Sequence, residues 1–235
     1  MKYQWATGSH RGRVRNNNED CYAPDTSGRG PGPLVTMVAD GMGGAAGGEV
    51  ASRVAVDEAI RAGGPVVDRV VRANSAVFER SLTDPTLAGM GTTLTLIEFG
   101  DDGIARLAHV GDSRAYVWRE DAMEQLTEDH TVVAEQIAAG RIRPVDAVSH
   151  PQRSMLTRVL GIAPDIEVDE MELPVEPGDR FMLCSDGLTA MLADDRISAV
   201  LGSGSPEEVV WSLIEGANRA GGHDNITVVV VDVEP

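Results

Sequence analysis

Residues 93–110 read TLTLIEFGDDGIARLAHV, two alternating apolar runs on either side of an Asp-Gly pair, the pattern of an antiparallel hairpin. Apolar runs of this kind, alternating or continuous, recur at 3–7, 34–39, 92–99, 104–110, 113–118, 180–185 and 226–232, and each reads as a strand. Runs 104–110 and 113–118 are close enough to form a second hairpin. Helical periodicity occupies about 46–62, with Val50, Val54 and Ile60 near one face, and about 65–82. It returns at 131–139, ended by Gly140, and at 206–219. That last helix has Ser205 as N-cap, Pro206 in the first turn and Glu208 completing a capping box, and Gly221-Gly222 closes it. Segment 140–155 is polar and broken by prolines, so it reads as a long mobile loop. Strands in adjacent antiparallel pairs with paired helices between them favour antiparallel sheets covered by helices, an α+β chain, over a parallel βαβ sheet. No repeat or linker separates two cores, and 235 residues suit one large domain.

A net charge of −17 argues against nucleic acid or an anionic membrane as partner. No apolar stretch approaches the roughly 18 residues of a membrane span, and the N-terminus lacks a signal-peptide core. Of the two cysteines, Cys184 lies inside an apolar run and reads as a reduced core thiol, as Cys21 and Cys184 cannot build a disulfide framework. These features together suggest the cytoplasm. Residues 1–15 carry Lys2, Arg11, Arg13 and Arg15 and no acid, a local positive segment. Lys2 is the only lysine, which excludes phosphate-loop, kinase and Schiff-base lysine chemistry.

Four aspartates stand at the ends of runs that look buried. Asp40 ends VTMVAD before Gly41, Asp112 ends LAHVGD, Asp186 ends FMLCSD, and Asp224 precedes the run ITVVVV. Asp102-Gly103 is the contrast, since an exposed hairpin explains it fully. A carboxylate at the end of a buried strand must find a partner or shift its pKa. Each of the four alone reads as a turn residue. Four converging at one sheet edge would repel unless cations held them. Oxygen ligands without cysteine or histidine spacing select Mg²⁺ or Mn²⁺ over zinc. In RVRNNNED, Arg15 could fork onto a phosphate, and Glu19 and Asp20 could order metal-bound water. Arg13 and Arg15 point to one face of a strand, so spacing alone does not choose between them. Competing motifs are poor. GMGGAA fits a dinucleotide fingerprint, but Asp40 would abut the pyrophosphate. The GDS at 111–113 lacks a D-x-x-H partner to supply a base, no Cys-x₅-Arg occurs, and His130, His150 and His223 lack zinc spacing and suit surface or supporting roles.

Eight motifs in order, GRVRNNNED (12–20), VADGMGG (38–44), MGTTL (90–94), HVGDSRAY (109–116), LTEDHT (126–131), HPQRS (150–154), LCSDGL (183–188) and HDNITVVVV (223–231), span nearly the whole chain. In them the chain resembles the metal-dependent serine/threonine protein phosphatases of type 2C (PPM), in their bacterial single-domain form. The resemblance implies a single catalytic domain over 1–235, a four-layer α-β-β-α sandwich of two antiparallel sheets flanked by helix pairs. It implies a hydrolase that removes phosphate from phosphoserine and phosphothreonine on proteins by in-line attack of a metal-activated water. Two tightly bound Mn²⁺ or Mg²⁺ ions and a third, looser one are implied as cofactors. By motif position Asp40 would bridge two ions, the Gly41 carbonyl would bind one, and Asp186 and Asp224 would complete the set. Glu19 and Asp20 would act through bound waters, Arg15 would clamp the substrate phosphate, and Asp112 with Asp186 would hold the third ion. Segment 127–155 would be a flap beside it. Partners would be phosphorylated proteins made by a serine/threonine kinase. Met42 stands where animal members carry a histidine proposed as general acid, and His10 where many bacterial relatives have Asp. The alternative is a non-catalytic phosphoprotein-binding module on the same fold. Loss of a ligand would mark it, and none is lost.

Overall fold

In a computed structural model, which describes residues 1–147 and 150–235 and leaves aside the side chains of 44–46, all strand pairings are antiparallel among the described residues. The chain runs β1 (Lys2–His10), β2 (Asp20–Ala23), β3 (Gly28–Pro31), β4 (Leu34–Met42), α1 (Gly44–Ala62), α2 (Val66–Thr83), β5 (Gly91–Thr92), β6 (Leu94–Phe99), β7 (Ile104–Val110), β8 (Arg114–Arg119) and β9 (Ala122–Gln125). It continues through α3 (Val132–Ala138), α4 (Pro144–Ala147), β10 (Asp169–Pro174), β11 (Arg180–Cys184), α5 (Asp186–Thr189), α6 (Asp194–Leu201), α7 (Pro206–Arg219) and β12 (Ile226–Glu234). One sheet has the order β3-β1-β12-β11-β8-β9; the other is β10-β7-β6-β4-β2, with β5 paired to β4.

Strand β12 explains the layering. Side chains alternate along a strand, so Val229, Val231 and Val233 pack between the sheets with Tyr3, Phe99 and Phe181. Val228 and Val230 point the other way, onto Val210, Leu213 and Ile214 of α7. Both faces are covered, which is why the run is continuously apolar. On the second sheet Met37, Ala39, Leu94 and Leu96 face Ala51, Ala55 and Ala59 of α1 and Val70, Ala73 and Val77 of α2. The result is the four-layer α+β sandwich that the resemblance implied.

Three local expectations need correction. Strands β6 and β7 do form the hairpin around Gly103, at φ 78°. Strands β7 and β8 do not pair: they lie in different sheets, and Gly111-Asp112-Ser113 carries the chain from one to the other. Gly111 sits at φ 115°, where an added Cβ would stand 2.5 Å from the Thr93 side chain. On α1 the buried face is Ala51, Ala55, Val56 and Ala59, whereas Ile60 is 53% exposed. Segment 140–155 holds α4 instead of being loop throughout. Of the expected flap, residues 148–149 lie outside the described residues. Both cysteines are buried and free, and the capping box at Ser205 and Glu208 is formed.

Candidate metal centre

Strand register decides what gathers at one end of the sandwich. Asp20 and Asp40 are direct partners in the β2–β4 pair, so their side chains share a face. Leu34 and Val38, in step with Asp40, belong to the core between the sheets, so that face looks toward the opposite sheet. There Ser185 follows the inward set Phe181 and Leu183, and Thr227 precedes the inward set Val229 and Val231. Asp20 Oδ2 accepts from Ser185 Oγ at 2.8 Å and from Thr227 Oγ1 at 2.6 Å. Since the Thr227 hydroxyl proton goes to Asp20, Ser9 Oγ must donate to Thr227 (2.7 Å). Ser9 in turn accepts from Asn18 Nδ2 at 2.7 Å. Asp20 Oδ1 is buried and has no hydrogen-bond partner among the described residues.

The backbone of Asp40 is held on both sides. Its N–H donates to Thr93 Oγ1 (2.8 Å), and its carbonyl accepts from the Thr93 N–H (2.9 Å) and the Thr92 hydroxyl (2.9 Å). The carboxylate is left to the space between the sheets. Asp186 opens α5, Asp224 lies just before β12, and Asp112 occupies the corner between the sheets. Burial raises the pKa of Asp20, Asp40, Asp112 and Asp186, and their mutual repulsion raises it further. Asp40 lies in the field of Asp20, Asp186, Asp112 and Asp224. Asp20 and Asp112 are each pushed up to about 7. A hydrogen bond to Asp40 and the nearby Arg15 partly ease Asp186. The fold thus brings all these carboxylates within one another's influence from both sheets.

Gly41 is held for packing. A Cβ there would lie 2.1 Å from the Gly48 carbonyl oxygen and 2.6 Å from that of Glu19, so β4 and the start of α1 meet backbone to backbone. Arg15 Nη2 lies 2.6 Å from Asp224 Oδ2, and its side chain is 51% exposed. Glu19 is fixed at three atoms: its N–H donates to Asn225 Oδ1 (2.8 Å), its carbonyl accepts from Ser52 Oγ (2.5 Å), and Oε1 accepts from Asn17 Nδ2 (3.2 Å). His10 Nδ1 accepts the Gly12 N–H at 3.0 Å. His130 is buried and braces the Asp112 corner: Nδ1 accepts the Gly111 N–H (3.1 Å) and Nε2 meets Asp169 Oδ2 (3.0 Å). Two residues beyond Asp40, Met42 lines a groove of about 840 Å³ with Met155, Leu156, Ile162, Ile166 and Arg158.

Sequence reasoning missed Ser185, Thr227, Thr93, Ser9, Asn18 and Asn225. The available signals were slight: Thr227 is the one polar residue at the head of a valine run, and Ser185 and Asn225 each adjoin an expected ligand. Carboxylates with one buried, unpaired carboxylate oxygen suit a hard divalent cation. Among the described residues no three acid, histidine or cysteine side chains already close on one point as a ligand set. Asp224 is turned to Arg15 and Asp20 to Ser185 and Thr227, so the fold supplies the donors and not a finished shell.

Residues 30–234 match the family model described as Stage II sporulation protein E (SpoIIE). The chain is 42% identical over 243 residues to the serine/threonine protein phosphatase PstP of Mycobacterium tuberculosis, covering 98% of this chain and 45% of that protein. It therefore spans about half the length of that relative. It is 36% identical over 236 residues to the serine/threonine phosphatase stp of Listeria innocua, covering 94% of this chain and 92% of that one. The crystal structure of the Mycobacterium tuberculosis phosphatase PstP/Ppp matches with a TM-score of 0.92 at 38% identity, over 100% of both chains. The PstP catalytic domain in complex with two manganese ions matches with a TM-score of 0.88 at 36% identity, over 100% of this chain and 99% of that one.

Proposed function

The chain belongs to the metal-dependent serine/threonine protein phosphatases of the PPM (type 2C) family, and from that premise we propose that it hydrolyses phosphoserine and phosphothreonine on proteins with Mn²⁺ or Mg²⁺ as cofactor. The observation that carries this reading is the convergence of Asp20, Asp40, Asp112, Asp186 and Asp224 from both sheets onto one end of the sandwich, with a buried oxygen of Asp20 unpaired. Asp40, Asp186, Asp224 and the Gly41 carbonyl would hold two ions, with Glu19 and Asp20 supporting them through water. Asp112 and Asp186 would hold a third ion more loosely. When bound, such ions supply a water acidic enough to act as nucleophile near neutral pH, and positive charge against the phosphoryl oxygens.

This chain's own groups do the rest. Arg15 has an open edge, since only its Nη2 has a hydrogen-bond partner among the described residues, so the guanidinium can donate to phosphate oxygens from the rim. Met42 offers no proton, so no side chain at that position protonates the leaving alkoxide. The groove beside Met42 has room for residues flanking the phosphorylated one. The whole chain reads as one catalytic domain, with the 127–155 segment as its flap. Its substrates would be proteins phosphorylated by a serine/threonine kinase, and its place the cytoplasm. No helix among the described residues is long and apolar enough to cross a membrane.

Phosphate release from a phosphothreonine peptide tests the reading. Activity should require Mn²⁺ or Mg²⁺, stop in EDTA and return on adding Mn²⁺, and Asp40→Asn should be nearly inactive while folded. Undiminished release in EDTA contradicts it, and a folded, metal-loaded protein that binds phosphopeptide without releasing phosphate would be the non-catalytic module.

A further inference from the structure

Asn225 directly follows Asp224, and its side chain bonds entirely to a distant segment. Oδ1 accepts the N–H of Glu19 at 2.8 Å, and Nδ2 donates to the carbonyls of Arg11 at 3.0 Å and Asn17 at 2.9 Å. The residue is 4% exposed, so water does not readily replace these bonds. One N–H that needs an acceptor and two carbonyls that need donors fit a carboxamide in one orientation alone. A carboxylate or an aliphatic group in that place would leave buried polar atoms unpaired.

The three partners bracket the loop between β1 and β2. Arg11 starts it, Asn17 and Glu19 end it, and Arg15 lies between. Residues 11–19 form no strand or helix. The loop lies tight over the segment before β12. The Arg13 N–H donates to the Gly222 carbonyl at 2.7 Å, and a Cβ on Gly12, at φ 77°, would stand 2.2 Å from the Asp224 carbonyl oxygen. One dipeptide therefore does two things. Asp224 meets the Arg15 side chain at 2.6 Å, and Asn225 fastens the backbone that carries it.

We infer that Asn225 is a positioning residue for phosphate recognition: by tying Arg11, Asn17 and Glu19 to the start of β12, it sets where Arg15 and Glu19 stand relative to the carboxylates. The inference rests on Arg15 as the phosphate clamp, and Asn225 acts through the loop without touching substrate.

A double-mutant cycle in the full chain with Mn²⁺ and a phosphothreonine peptide tests it. Asn225→Ala removes three neutral hydrogen bonds and should raise KM about tenfold while kcat stays within about threefold. In an Arg15→Ala background the same substitution should change KM by less than about twofold, because the phosphate-binding group it positions is gone. General loosening would instead lower kcat and Tm and act alike in both backgrounds. A KM rise that persists undiminished in Arg15→Ala, or no rise in Asn225→Ala, overturns the inference. Hydrogen exchange separates this from failure of the phosphatase reading. In Asn225→Ala the Glu19 amide should lose protection while β12 amides keep theirs, whether or not the protein is active. Unchanged protection at Glu19 overturns the fastening role.

Discussion

Arg15 and Asp224, 209 residues apart in sequence, meet at 2.6 Å where a phosphate-binding group and a metal-binding group are both expected. A charge-assisted fork contributes roughly 1.5–3 kcal/mol, so Arg15→Ala should cost roughly 10- to 150-fold in kcat/KM on a phosphopeptide. Much of that should fall on KM, because the fork already binds the ground-state dianion. Arg13→Ala is the control: the Arg13 backbone N–H holds Gly222, its side chain has no hydrogen bond or ion pair among the described residues, and kinetics should change little. Greater damage from Arg13→Ala would place the clamp on the wrong arginine. Asp112 is carried on the corner between the sheets, which His130 braces. Asp112→Asn should lower turnover while metal analysis still finds two ions per chain. Loss of all bound metal would assign Asp112 to the main pair.

At the scale of elements, the contact between β4 and α1 depends on Gly41 and Gly48, since a Cβ on Gly48 would lie 2.7 Å from Glu19 Oε2 and 2.8 Å from the Gly41 carbonyl. Gly41→Ala should destabilise the fold by at least about 1–3 kcal/mol and remove activity with it, as thermal melting and phosphate release would show. Ser205→Ala is the contrasting case. It breaks the α7 capping box and should cost about 0.5–2 kcal/mol with kcat/KM unchanged. Long, strongly patterned elements were legible in the sequence: β4, β6, β7, β12 and α7 stand where periodicity and capping put them. Strands β2, β3, β9 and β10 were not, because at four to six residues they are too short for a period to stand out, and β3 is half glycine and β10 half acidic. The β7–β8 corner was misread as a hairpin because three residues suit either a tight turn or a crossing between sheets, and only tertiary packing decides. The aspartates at strand ends were legible one by one. Their scaffold was not, since Asp20 finds Ser185 and Thr227 165 and 207 residues away. Local sequence carries no record of a register that spans the chain.

For the molecule as a whole, the carboxylate end is a liability without cations and would become a joint with them. Asp20 and Asp112 have folded pKa values of about 7, above the roughly 3.9 of an unfolded aspartate. Between those values the folded chain binds more protons than the unfolded one, so stability falls as pH rises from about 4 to about 7. In EDTA the Tm should therefore drop across that window, and Mn²⁺ should reverse the loss near pH 7.5 by binding the folded state alone. A Tm indifferent to both pH and Mn²⁺ would remove the cluster's electrostatic role. The central claim is that this end of the sandwich is a binuclear metal site, and anomalous scattering at the manganese edge from crystals grown with Mn²⁺ tests it most directly. Two strong peaks should appear, both beside Asp40, one with Asp186 and Asp224 among its neighbours, and a weaker third beside Asp112 is consistent with them. Manganese bound only elsewhere on the chain, with none beside Asp40 at saturating Mn²⁺, would contradict it.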